Sequence, residues 1–202
     1  QVGQSLHRGN VKELAEMGEI TADSFDIIIP DVLDGILITA IKEKTFLNAD
    51  TVTSVVIPDK VTALPDSCFY NATAMQTVTL PASLSVIAQR AFINCTSLQS
   101  VTVPAGVREI GLRAFNNCYA LTTADLGACD GLTTLESYTF SECYALTEIA
   151  LPASLTAIEE NAFVNCESLK TVRFGGTEAQ WNAIAVSEGN EALLNANVVF
   201  GG

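Results

Sequence analysis

LPASLSVIAQRAFINCTSLQSVTVP (80–104) and LPASLTAIEENAFVNCESLKTVRF (151–174) are two writings of one unit. Each carries Phe, then Asn two places later, then Cys, then Leu six places after the Phe. Working outward, Phe46, Phe69, Phe92, Phe115, Phe140 and Phe163 recur every 23 residues, apart from a 25-residue step between Phe115 and Phe140. A fixed period in the low twenties marks stacked repeats, each able to bury its apolar face only against its neighbours. The chain therefore reads as a solenoid over most of its length.

Phase by phase, the repeat spells its own local structure. The sixth residue after each Phe is apolar (Val52, Met75, Leu98, Leu121, Leu146, Leu169), and apolar residues follow three and five places further on. Spacing by two marks a short strand with one buried face, as in TVTL (77–80), SVTV (100–103) and TVRF (171–174). Pro58, Pro81, Pro104 and Pro152 end four of these strands, because proline lacks the N–H that a ladder needs. A second apolar pair (Val61 with Leu64, Leu84 with Ile87, Val107 with Ile110, Leu132 with Leu135, Leu155 with Ile158) suits a second short strand. Small residues before Phe (Ala91, Ala114, Ala162) suit a tight helical turn. Asn48, Asn71, Asn94, Asn117 and Asn165 are read as amides satisfying turn backbone, and the following cysteines as small apolar fillers.

Composition bounds the function. Nearly half of the 202 residues are apolar and 16% are charged, which supplies a continuous core. The net charge of −13 without any basic run argues against nucleic acid and anionic lipid as partners. No apolar stretch reaches the roughly 20 residues that span a bilayer, so membrane insertion by this chain is not expected, and a monomer is.

The phased residues quoted above, in repeated copies over about 46–175, resemble the BspA-like class of leucine-rich repeats of bacterial surface proteins. The resemblance implies an α/β leucine-rich-repeat solenoid, a right-handed stack of strand, turn, short strand and helical turn with helical end caps. Residues 1–25 would form the N-terminal cap, where Asn10 and Glu13 make a capping-box pattern and Val11, Leu14 and Ala15 an apolar face. Residues 26–175 would form the array, 26–45 being a degenerate rung, and 176–202 the C-terminal cap. There Thr177 and Gln180 form a second capping box, Trp181 and Ile184 cover the last rung, and NVVF (197–200) adds a strand. The segment 176–184 is similar to caps in proteins of gut-dwelling, Gram-positive anaerobes. Two departures are local: Gly127 stands for proline, and 127–131 holds the extra two residues.

Chemistry-bearing motifs are few. His7, the single histidine, has no sequence partners for catalysis or metal binding, so neither cofactor nor metal is expected. Cys95, Cys118, Cys143 and Cys166 share one phase and Cys68 takes a small-residue slot; parallel stacking favours reduced, buried thiols over disulfides or a metal site. Cys129, in the irregular loop, is expected to be the accessible thiol. Asp125, Asp130, Glu136 and Glu142 do not match a calcium loop. Tyr119 and Tyr144 share a phase and would stack on a surface ridge.

Binding then falls to the outward face of the strands. Thr77, Thr79, Ser100, Thr102, Thr123, Asp125, Glu148, Thr171 and Arg173 alternate with core residues and form the candidate ligand-binding set. Threonine's β-propensity alone also explains hydroxyls on an exposed strand. The family resemblance implies a non-catalytic module, extracellular or on the cell surface, that binds a protein or glycan. A spacer presenting another domain is the alternative, and an enzyme the remote one.

Overall fold

The protein is described by a computed structural model covering residues 4–6, 25–33 and 35–201. Short parallel strands stack rung on rung in like phase. Phe25–Ile28, Val52–Val56 and Thr77–Thr79 form one group; Ser100–Thr102, Thr123–Asp125, Glu148–Leu151, Thr171–Phe174 and Asn197–Phe200 form a five-stranded sheet. Registers such as Ala124 opposite Val101, and Ile149 opposite Val172, place equivalent repeat positions side by side. Alternation then buries one column and exposes the next, as the period-2 pattern requires. The second apolar pair forms the expected second row: Ala63–Leu64, Val86–Ile87 and Glu109–Ile110, then Thr134–Leu135, Ala157–Ile158 and Ala185–Val186.

The six repeat phenylalanines are buried and stacked, with ring centroids 4.8 to 5.6 Å apart. They are flanked by backbone in the left-handed region: Arg90 and Asn94 around Phe92, at φ 56° and 60°, with equivalent pairs in the five other copies. This corrects the expected helical turn. A left-handed residue on each side of Phe breaks a right-handed helix, and alternate N–H groups bond to the neighbouring rung instead. Phe92 N donates to Ala114 O at 2.7 Å and Asn94 N to Asn116 O at 2.9 Å. The fold is thus a leucine-rich-repeat β-solenoid with little helix: among the described residues only Glu178–Trp181 and Glu191–Leu194 are α-helical.

At the C-terminal end the capping box of Thr177 and Gln180 is formed, and Trp181 meets Phe174 edge-on at 5.3 Å. Asn197–Phe200 extends the sheet in parallel with Thr171–Phe174. Asn190, the buried N-cap residue of Glu191–Leu194, closes the last rung. Its Oδ1 accepts from Phe163 N, and its Nδ2 donates to Glu159 O and Ser187 O, at 2.9 to 3.0 Å. Nothing in the repeat pattern pointed to it. At the other end Gln4–Leu6 pairs in parallel with Ile36–Ile41. The expected helix around Asn10, Val11, Glu13, Leu14 and Ala15, and His7, lie outside the described residues.

Candidate functional site

Strand pleating points the candidate side chains away from the core. Thr77, Thr79, Ser100, Thr102, Thr123, Asp125 and Arg173 are exposed, while Glu148 and Thr171 are half-buried. The face divides in two. From Ser100–Thr102 onward the ladder is continuous, but Thr77–Thr79 belongs to a separate sheet, so pairing stops between these two strands. There a shallow cleft of about 320 Å³ opens, lined by Thr77, Val78, Thr79, Leu80, Ser100, Thr102 and Pro104. Val78 and Leu80 are only half-buried, whereas their equivalents Val101 and Val103 are 3% and 2% exposed. A cleft floor with apolar carbon and hydroxyl rims results.

The charged members of the set are already engaged within the chain. Arg173 Nε donates to Glu148 Oε1 at 2.6 Å, and its Nη2 to Oε2 at 3.3 Å, which holds the Glu148 carboxyl below its ordinary pKa. Asp125 Oδ1 accepts from Gly127 N at 2.9 Å, a bond that proline, the usual residue here, has no N–H to make. The structure thus brings Thr77, Thr79, Ser100 and Thr102 together around one opening. Thr123, Asp125, Glu148, Thr171 and Arg173 lie along the closed sheet beyond it.

Two side-chain columns have roles different from those expected. The asparagines form a ladder with one another: Asn71 Nδ2 donates to Asn48 Oδ1 at 3.1 Å, Asn94 to Asn71 and Asn117 to Asn94 at 2.7 Å each. Their left-handed backbone suits asparagine, which adopts that region more readily than most residues. The cysteines are free and buried, and are more than fillers. Cys95, Cys118, Cys143 and Cys166 each direct Sγ at the carbonyl of the phenylalanine one rung back, at 3.1 to 3.3 Å. Burial pushes their thiols well up. Cys129, expected to be accessible, is buried at 0% exposure because its loop folds Sγ against Pro104 O. Its thiol rises to about 11 through burial, with Asp125 and Asp130 adding to the shift.

Tyr119 and Tyr144 stack at 5.3 Å and are exposed. Among the described residues no group of three or more His, Cys, Asp or Glu side chains is placed to hold a metal, and no helix is long and apolar enough to cross a membrane.

With this geometry the comparisons with known proteins agree. Residues 39–170 match the family described as BspA type leucine-rich repeat region, in 6 copies. The fold is similar to that of a leucine-rich repeat protein of T. pallidum, at 20% identity and TM-score 0.56, covering 88% of this chain and 86% of that one. It is similar to the pneumococcal vaccine antigen PcpA at 16% identity and TM-score 0.63, covering 90% of this chain and 40% of that one. A leucine-rich repeat protein of Eubacterium ventriosum matches at 20% identity and TM-score 0.51, with 81% and 57% covered. No curated protein matches the sequence.

Proposed function

Because the chain belongs to the family of BspA-type leucine-rich repeat proteins, we propose that it is a non-catalytic interaction module of a bacterial surface or secreted protein. It binds a protein or glycan through the strand face, with the cleft between Thr77–Thr79 and Ser100–Thr102 as the anchoring point. The cleft carries this reading. Among the described residues it is the one place on that face where the ladder parts, and hydroxyls sit there beside half-buried Val78 and Leu80. Such a mixture of apolar floor and polar rim resembles the anatomy of recognition surfaces, and solenoids commonly offer a repeated face to an extended partner.

A spacer role is the second reading, and one observation favours it. The chain spans 40% and 57% of two structures it resembles, so arrays of this kind occur within longer chains. Both readings are tested by surface plasmon resonance against immobilised matrix proteins and glycans, with Thr79→Lys/Thr102→Lys as the variant. The module binds at least one of them saturably and the variant, with unchanged thermal midpoint, does not. Absence of any saturable binding favours the spacer, and binding that survives the variant moves the site elsewhere.

A further inference from the structure

One surface unrelated to the strand face carries three cations in one phase. Lys44, Arg90 and Arg113 each stand two residues before a repeat phenylalanine, in rungs one, three and four, with Ser67 between. Together with Leu47, Tyr70 and Ile93, which follow the phenylalanines of rungs one to three, they line a shallow groove of about 480 Å³. Among the described residues the one ion pair is Arg173 with Glu148, so these cations have no carboxylate partner. Arg113 lies over the Tyr138 ring at 4.9 Å, which closes the row at its C-terminal end. Beyond it the phase turns neutral, with Tyr138 and Asn161.

The backbone at this phase is left-handed in all six rungs, Ser67 and Tyr138 included. All three cations are in the left-handed region, at φ 56° to 58°, where side chains other than asparagine and glycine are disfavoured. Asn161 occupies the same phase at φ 58°, so asparagine fits there. Long cations held where asparagine is the cheaper choice are a local rule broken, of the kind that collects at functional positions. In a chain of net charge −13, three cations without a carboxylate partner beside an apolar row are a local exception to the general field.

We propose that this groove binds an extended acidic peptide in which carboxylates alternate with apolar side chains. Rungs succeed one another every 4.8 to 5.2 Å here. About five residues of extended chain therefore reach from Lys44 to Arg113, and successive side chains point to opposite sides. One side of a strand lying along the groove repeats about every 6.6 Å, close enough to the rungs for the long side chains of Lys44, Arg90 and Arg113 to reach its acids, while its apolar side chains lie toward Leu47, Tyr70 and Ile93. A sulfated glycan would use the cations but leave the apolar row uncovered. The proposal rests on the interaction-module reading but uses a different face, so either can fail alone.

The test is fluorescence anisotropy with a labelled octapeptide alternating glutamate and leucine, a control with glutamine for glutamate, and heparin as competitor. Arg90→Asn/Arg113→Asn removes two cations while supplying the residue that the backbone prefers. Affinity for the acidic peptide is expected to fall about tenfold or more, from loss of two charge contacts, while the thermal midpoint holds or rises. Thr79→Lys/Thr102→Lys, on the other face, leaves this affinity unchanged. Equal binding of the glutamine control, undiminished binding by the arginine variant, loss of binding in the threonine variant, or binding of heparin but not of the peptide would each overturn the proposal.

Discussion

The rungs from Phe69 to Phe115 and those from Phe115 to Phe163 share one core but differ on their surface. The first group repeats without interruption. The second has two extra residues within 127–131, Gly127 in the place of proline, and Glu142 in the place of asparagine. Inside, the stack crosses the insertion unbroken: Phe115 and Phe140 lie at 5.2 Å and 2° between ring planes, against 5.0 Å and 4° for Phe92 and Phe115, and only the last step, Phe140 to Phe163, widens to 5.6 Å and 15°. Outside, the second row of strands stops between Glu109–Ile110 and Thr134–Leu135, and the asparagine ladder meets a carboxylate that has no proton to give Asn117. Apolar packing is non-directional and shared among many contacts, so a two-residue insertion can be absorbed in a loop. The asparagine ladder is set one side chain at a time and fails at the first wrong one.

The comparison breaks first at the core. Phe115→Ala and Phe140→Ala should each cost about 3–5 kcal/mol, the usual penalty for emptying a buried aromatic site, and the two values should agree. Urea unfolding measures both. A Phe140 value of less than half the Phe115 value would show that the insertion loosens the core after all. Close behind comes the array's end, where Asn190→Ala leaves Phe163 N and Ser187 O without their partner, while Glu159 O keeps its bond from Ala162 N. About 2–3 kcal/mol is expected, since buried polar groups left unsatisfied cost more than a hydrogen bond contributes. A loss below about 0.5 kcal/mol would make Asn190 an ordinary surface residue.

How far the sequence spoke differs in the same way. The Phe, Leu and Val columns, the two strand rows, the closing prolines and the Thr177 and Gln180 cap follow from period and residue type, and the structure has them all. The helical turn before Phe was misread because Ala91 and Ala114 are good helix formers, whereas the left-handed φ of Arg90 and Arg113 leaves no compositional mark. The outward set was legible from alternation. That Thr77–Thr79 parts from Ser100–Thr102 was not, since TVTL (77–80) and SVTV (100–103) read alike. Cys129 looked accessible from its irregular loop, and Asn190 looked ordinary, because both depend on how a non-repeating segment folds back.

A third prediction uses the thiol column, which runs through both groups. Burial raises the folded-state pKa of Cys68, Cys95, Cys118, Cys143 and Cys166 above the unfolded value. A raised pKa means that stability is complete below the unfolded pKa and lost as pH rises above it. Each buried thiol should then subtract about 1.4 kcal/mol per pH unit beyond about pH 9. Denaturant midpoints between pH 8 and 10 should fall steeply, and Cys118→Ala should flatten the fall. Equal slopes for the variant and the parent protein would assign alkaline unfolding to other groups.

The smallest effect should be a gain, and it sharpens the comparison most. Glu142 sits at φ 63°, where glutamate is disfavoured, and it accepts from Asn165 Nδ2 at 2.7 Å and from the Tyr144 hydroxyl without donating onward. Glu142→Asn gives the backbone its preferred residue and lets the ladder run from Asn48 to Asn165. About 1 kcal/mol of added stability is expected, from relief of left-handed strain together with one more hydrogen bond. Glu142→Gln supplies the donor without suiting the backbone, so it should gain less. Tyr144 reports the change independently: its hydroxyl is pushed up to about 12, chiefly by the bond it donates to Glu142. In Glu142→Asn its ultraviolet titration should move down toward the ordinary tyrosine value of about 10. If Tyr144 moves and stability does not, the carboxylate was paired as described and the asparagine ladder contributes nothing, which would leave the apolar columns, the thiol column and the five-stranded sheet to hold both groups together.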